Sequence, residues 1–138
     1  MDITTERPRP DVAVIALAGE LDGSNFEQVI DAARSAHADG VRTILLDLGG
    51  LTYMGSSGLV AIHSAALILR GLEPPSSEDG WDAFHQLGQD VEKTSDGAGL
   101  HLVAPTAPVD RVLDRTGMKS LFPVHADRAA ALEAVGAG

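Results

Sequence analysis

Hydrophobic positions along this chain fall into two kinds of run. Val12–Ala18 (VAVIALA) is short, continuous and rich in branched residues, the pattern of a strand buried on both faces. Thr43–Leu48 (TILLDL) and Leu100–Ala104 repeat it. Between these runs the apolar spacing changes to three and four. Ser24 or Asn25 can cap a helix running to about Ala38, with Phe26, Val29, Ile30 and Ala33 on one face and Gly40 as its stop. A second helix runs from about Ser57 to Leu69 and ends near Gly71. A third covers Ala107–Arg115, with Pro108 in its first turn, a stripe of Val109, Val112 and Leu113, and Gly117 at its end. Leu121–His125 reads as a short strand that Pro123 places at an edge. Ala126–Val135 is a closing helix, and Ile3 opens a further edge strand. Strands alternating with helices predict an α/β fold: a mixed, largely parallel sheet of four to five strands with about four helices.

Residues 73–97 break this rhythm. They open with Glu-Pro-Pro-Ser-Ser and close with Thr-Ser-Asp-Gly. Seven acids stand there against Lys93, so this segment carries more than half of the chain's net charge of −10. A connection this long is uncommon inside a compact domain and reads as an acidic insertion. Trp81, Phe84, Leu87 and Val91 are spaced like one face of a short helix, which the rings of Trp81 and Phe84 would anchor.

A length of 138 residues suits one domain, residues 1–138, with the insertion inside it. Aromatics are only 4%, so the core must be built from Leu, Ile, Val and Ala. There is no cysteine, which removes disulfides and thiolate metal sites. The five histidines have no metal-ligand spacing, and no cofactor is expected. The acidic balance disfavours nucleic acid and anionic lipid. The first residues lack a signal peptide's apolar run, and no run of about 18 apolar residues exists to insert into a membrane. A cytoplasmic protein is compatible with all of this, with protein or small-ligand partners.

The candidate chemistry lies in Asp47–Leu59, DLGGLTYMGSSGL. It reads as a strand end, a tight loop and two serines opening a helix. Loops Gly19–Gly23, Gly49–Ser56 and Pro105–Ala107 all follow strands at one end of a parallel sheet, where ligands and partners usually meet such sheets. That places Glu20, Asp22, Ser56 and Ser57 on one rim. A serine here can be an ordinary N-cap. It can also carry a phosphate, because a helix N-terminus favours negative charge. A hydrolase nucleophile is not supported: a nucleophile elbow needs glycine two residues before and two after the serine, and neither Ser56 nor Ser57 has both. The glycines match neither a P-loop nor a dinucleotide fingerprint. Placed at 100° steps, Leu59, Ile62, Ala65, Ala66 and Leu69 form the sheet-facing side of the serine helix. Val60 and Leu67 are expected outside, beside His63 and Ser64. They would extend a partner-binding surface or be covered by the insertion.

Leu17-Ala18-Gly19-Glu20-Leu21-Asp22, then Ile44–Leu48, then Leu51–Leu59 resemble a STAS domain, most closely the stand-alone bacterial anti-sigma-factor antagonists. The similarity runs from about Pro10 to Ala126, interrupted by the insertion. It implies a STAS-like fold and a partner switch rather than an enzyme. In that family the unphosphorylated antagonist binds an anti-sigma factor that is also a serine kinase, which frees a sigma factor for transcription. Phosphorylation of the first serine of the pair, here Ser56 with Ser57 as the alternative, dissolves the complex, and a phosphatase resets it. The implied partner surface comprises Glu20, Asp22, Gly55, Ser56, Ser57, Val60, Ser64 and Leu67. The family usually has Asp before the phosphorylated serine, where this chain has Gly55. A STAS scaffold without a phospho-switch, or a cytoplasmic module of a lipid or anion transporter, fits the same resemblance. A homodimer is left open.

Overall fold

The computed structural model describes residues 2–71 and 99–136. The helix expected around Trp81 and Phe84 lies outside these residues. The elements run β1 (Asp2–Arg9), β2 (Val12–Leu21), α1 (Phe26–Ala38), β3 (Thr43–Met54), α2 (Ser56–Leu69), β4 (Leu100–Val103), α3 (Ala107–Thr116), α4 (Met118–Leu121), β5 (Val124–His125) and α5 (Arg128–Gly136). The five strands lie in the order β1-β2-β3-β4-β5. β1 is antiparallel to β2, and every other pairing is parallel. This is the mixed α/β sheet read from the sequence, with a fifth helix among the described residues.

β2 and β3 are longer than their apolar runs. They stay paired through Leu21↔Met54, with register shifts between Ala16 and Ala18 and between Gly19 and Glu20. The Gly49-Gly50 pair explains how β3 continues past its charged residue. A Cβ on Gly50 would lie 2.8 Å from the Leu17 carbonyl oxygen, so only glycine lets the two backbones approach this closely. Glu20 and Tyr53 are therefore paired strand residues and not loop residues. At the other margin, β5 keeps only Val124 and His125, and Leu121 ends the short α4. Pro123 has no N–H to offer, and its carbonyl accepts from Leu102 N at 2.9 Å. β1 is an eight-residue edge strand, although only Ile3 within it packs on the core.

The sheet has two apolar faces. The larger core includes Ile15, Leu17, Ile44, Leu46, Leu100 and Leu102, packed beneath residues of α1–α4. The smaller one sets Val12, Val14, Leu45 and Val103 against Ala131, Leu132 and Val135 of α5. Arg128 fixes the start of α5 to the sheet, donating from Nε to Asp47 at 2.6 Å and from Nη1 to Glu6 at 2.9 Å.

α2 differs from its expected amphipathic form. Every residue from Gly58 to Leu69 except Val60 is buried. Leu67 and Ser64, expected on an outer face, are 4% and 0% exposed. A helix apolar on nearly all sides belongs in an interior, and α2 packs against α1, β3 and β4. The ring of His63 sits edge-on to Phe122, with centroids 6.0 Å apart. The 100° projection marks the sheet-facing stripe correctly, but it cannot see neighbours brought to the other sides.

Candidate functional site

The rim at the carboxyl ends of β2 and β3 is built by short-range chemistry. Asp22 organises the turn before α1: its Oδ1 accepts from Ser24 N at 2.9 Å and from Ser24 Oγ at 2.6 Å. These bonds hold its carboxyl below the usual carboxylate range, so it stays charged. Asn25 occupies the N-cap position of α1, but its side chain does not cap the helix. Its amide bridges instead, accepting from Asp22 N at 3.0 Å and donating to the Glu20 carbonyl at 2.7 Å. Thr106 reaches in from the loop before α3 and donates to the Leu51 carbonyl at 2.6 Å.

Gly55 joins this turn to the serine helix. Its N–H donates to the Leu21 carbonyl at 2.9 Å, and its backbone is extended, with φ −86° and ψ −177°. Any residue can adopt that conformation, so glycine is not required here by backbone geometry. Gly58 is different. A Cβ there would run into Met54 Cγ and lie 3.0 Å from Leu21 Cδ2. Glycine at 58 is what lets α2 start directly against the end of β3.

Ser56 is the first helical residue and is exposed, while Ser57 is half-buried. A Cβ on Gly23 would lie 3.5 Å from Ser57 Oγ, so the Asp22–Asn25 turn faces Ser57 and leaves Ser56 open. α2 has no side-chain cap and no acid in its first turn. Within α2 itself, therefore, no side chain offsets the positive end of the dipole or its first N–H groups. Among the described residues no base is hydrogen-bonded to either serine, the partner that an activated serine nucleophile uses.

The structure thus gathers Glu20, Asp22, Gly55, Ser56 and Ser57 at one end of the sheet, with half-buried Val60 one turn along α2. It separates Ser64 and Leu67 from that surface by burying them. It adds Tyr53, which is 51% exposed, pairs across the strands with Glu20, and places its Oη 3.1 Å from where a Gly55 Cβ would sit. Tyr53 is hidden in the sequence because Gly49–Ser56 reads as a loop; strand alternation beyond the glycine pair is the signal that marks it. On the other sheet face, a depression of about 290 Å³ is lined by Thr4, Ala16, Ala18, Gly49 and Arg128. Arg128 is already engaged by Asp47 and Glu6, so it does not offer a free cation for a nucleotide phosphate. No group of three metal-ligating side chains occurs among the described residues, and none of their helices is long and apolar enough to cross a membrane.

The family model for "Mlab, STAS domain" matches residues 4–73, from within β1 through α2, including Glu20, Asp22 and Gly55–Ser57. The chain belongs to the STAS domain family. Solved STAS-fold structures align over nearly its full length. SpoIIAA, an anti-sigma factor antagonist in its unphosphorylated form, is 22% identical, with a TM-score of 0.63 over 98% of this chain and 97% of that one. The phosphorylated form of SpoIIAA, a cell fate determinant from Bacillus, is 20% identical, with a TM-score of 0.58 over 97% and 99%. An anti-sigma factor antagonist from Mycobacterium paratuberculosis is 23% identical, with a TM-score of 0.63 over 97% and 94%. At these identities the likeness establishes the STAS fold. Glu20, Asp22, Tyr53 and Ser56 then sit where β2, β3 and α2 of that fold converge.

Proposed function

We propose that this STAS domain is a cytoplasmic anti-sigma-factor antagonist, a binding partner and kinase substrate rather than a catalyst. The anti-sigma factor is its partner and its serine kinase, Ser56 is the regulated residue, and a phosphatase restores the binding form. The observation that carries this reading is the position of Ser56: exposed at the first residue of a helix that is otherwise almost wholly buried. A kinase can reach this hydroxyl without unfolding the domain. A phosphate there meets the uncompensated end of the α2 dipole, so the fold tolerates it. The partner does not, because charge of about −1.5 to −2 and three oxygens enter its interface. SpoIIAA, solved in both phosphorylated and unphosphorylated forms, supports the same reading.

Incubation with the kinase-type anti-sigma factor and ATP, followed by mass spectrometry, tests the assignment. The expected result is one phosphate on Ser56 that is lost in Ser56→Ala. A phosphate on Ser57 alone, or none together with no complex, overturns it.

Gly55 favours a second reading, a STAS scaffold with no phospho-switch. There is no acid at the N-cap to shape a kinase site, and the helix dipole is left open. In that case Ser56→Asp keeps wild-type affinity for the scaffold's partner.

A further inference from the structure

At the opposite margin of the sheet, His101 on β4 and His125 on β5 are directly bonded, with Nδ1 of the first 2.9 Å from Nε2 of the second. The rings are within 19° of coplanar, and their centroids are 5.2 Å apart. With so short a nitrogen contact, that centroid distance is that of rings placed end to end in one plane. The contact is therefore an in-plane N–H···N hydrogen bond and not a face-to-face stack. Both rings are half-buried. His101 pairs with Leu45, and His125 pairs with Val103. Leu45 and Val103 both belong to the core under α5, so the two rings share that face.

β5 is a short edge strand. It is two residues long, and its backbone bonds to β4 include Leu102 N to the Pro123 carbonyl at 2.9 Å and Ala104 N to the His125 carbonyl at 2.8 Å. α5 follows directly, and it covers the smaller core. We propose that the His101–His125 bond is a proton-operated clasp that fixes β5 to β4, and that protonation of both rings releases β5 while Arg128 keeps α5 on the sheet.

The proton count gives the clasp two steps. In the neutral pair one ring donates N–H and the other accepts on a bare nitrogen. A first proton binds the outward nitrogen of the donating ring. The bond survives and becomes charge-assisted. A second proton can go only to the accepting ring, whose facing nitrogen must then carry hydrogen. The bond is lost and two cations face each other. Burial, together with the neighbouring His125, already holds His101 below the ordinary histidine range. The charged groups on the elements packed around the pair do not relieve this. Asp47 on β3 is held by Arg128, Asp127 ahead of α5 accepts from Ala130 N at 2.8 Å, and Glu133 on α5 is exposed.

Side-chain ¹⁵N spectra and amide exchange of the full-length protein, from about pH 7.5 to about pH 5, test this. The range stops above the region where His63 titrates, near 4. The expected result is a coupled two-step titration of His101 and His125. Exchange at Leu102 and Ala104, corrected for intrinsic rate, should accelerate about tenfold or more through the second step while Ile44–Leu46 stay protected. Two independent one-step curves overturn the proposal, as does protection at Leu102 and Ala104 that stays level with β3. His125→Gln keeps a hydrogen-bonding amide that cannot be protonated, and it should make that protection independent of pH. If the variant opens with acid as the wild type does, the clasp is not the cause.

Discussion

Acid should destabilise this protein strongly through a buried side chain, His63. The residue is 3% exposed inside α2, with its ring edge-on to Phe122, and burial pushes its pKa from 6.5 down to about 4. The unfolded chain takes up the proton below about pH 6.5, while the folded chain takes it up only near pH 4. The neutral-histidine fold is thus at full strength above pH 6.5 and loses stability as pH falls through the window between the two values. Each unit of that window is worth about 1.4 kcal/mol, so the whole of it costs about 3 kcal/mol. That is a large share of the roughly 5–15 kcal/mol that holds an ordinary domain folded. Urea unfolding followed by far-UV circular dichroism, at about pH 7 and about pH 4.5, measures it in the wild type and in His63→Leu. Every other titrating group is common to both proteins, so their difference isolates His63. The wild type should lose about 2–3 kcal/mol more than the variant over this interval. Parallel losses in the two proteins would refute the reasoning.

Other consequences follow from single positions. Ala104 holds φ +52° at the end of β4, a left-handed conformation that costs a side chain about 1–2 kcal/mol; Ala104→Gly should raise stability by up to about 1 kcal/mol in thermal unfolding. Gly58→Ala drives a methyl into Met54 and should destabilise by about 1–3 kcal/mol in denaturant titration while leaving secondary structure intact. Tyr53 is exposed beside Ser56, so Tyr53→Ala should change stability by no more than about 0.5 kcal/mol. It should weaken partner binding about tenfold or more by surface plasmon resonance, and Tyr53→Phe should retain most of the affinity.

Much of this fold is legible in the chain because its central strands are buried on both faces. VAVIALA and TILLDL are short and rich in branched residues, as buried strands are, and the glycines at 40 and 117 stop their helices with φ of +99° and +77°. What escaped reading was tertiary. The edge strand opening at Ile3 is legible, but its extent to Arg9 is not, since β1 is paired on one side only and buries mainly Ile3. The Gly49-Gly50 pair looks like a loop, yet it is the close approach that keeps two strands together. Ser64 and Leu67 looked external because helical periodicity shows one buried face and cannot report a second layer. At the rim, Ser56 and Ser57 were readable from their place before a helix. Which of them is open was not, because that depends on a turn more than thirty residues earlier packing near Ser57.

Under the proposed function, a phosphate on Ser56 decides whether the partner binds. Isothermal calorimetry of the kinase-type anti-sigma factor with unmodified, enzymatically phosphorylated and Ser56→Ala protein tests it most directly. Unmodified and Ser56→Ala proteins should bind alike. The phosphorylated form should bind at least about a hundredfold more weakly, equivalent to about 3 kcal/mol at the interface. Equal affinity of the phosphorylated and unmodified forms would contradict the account.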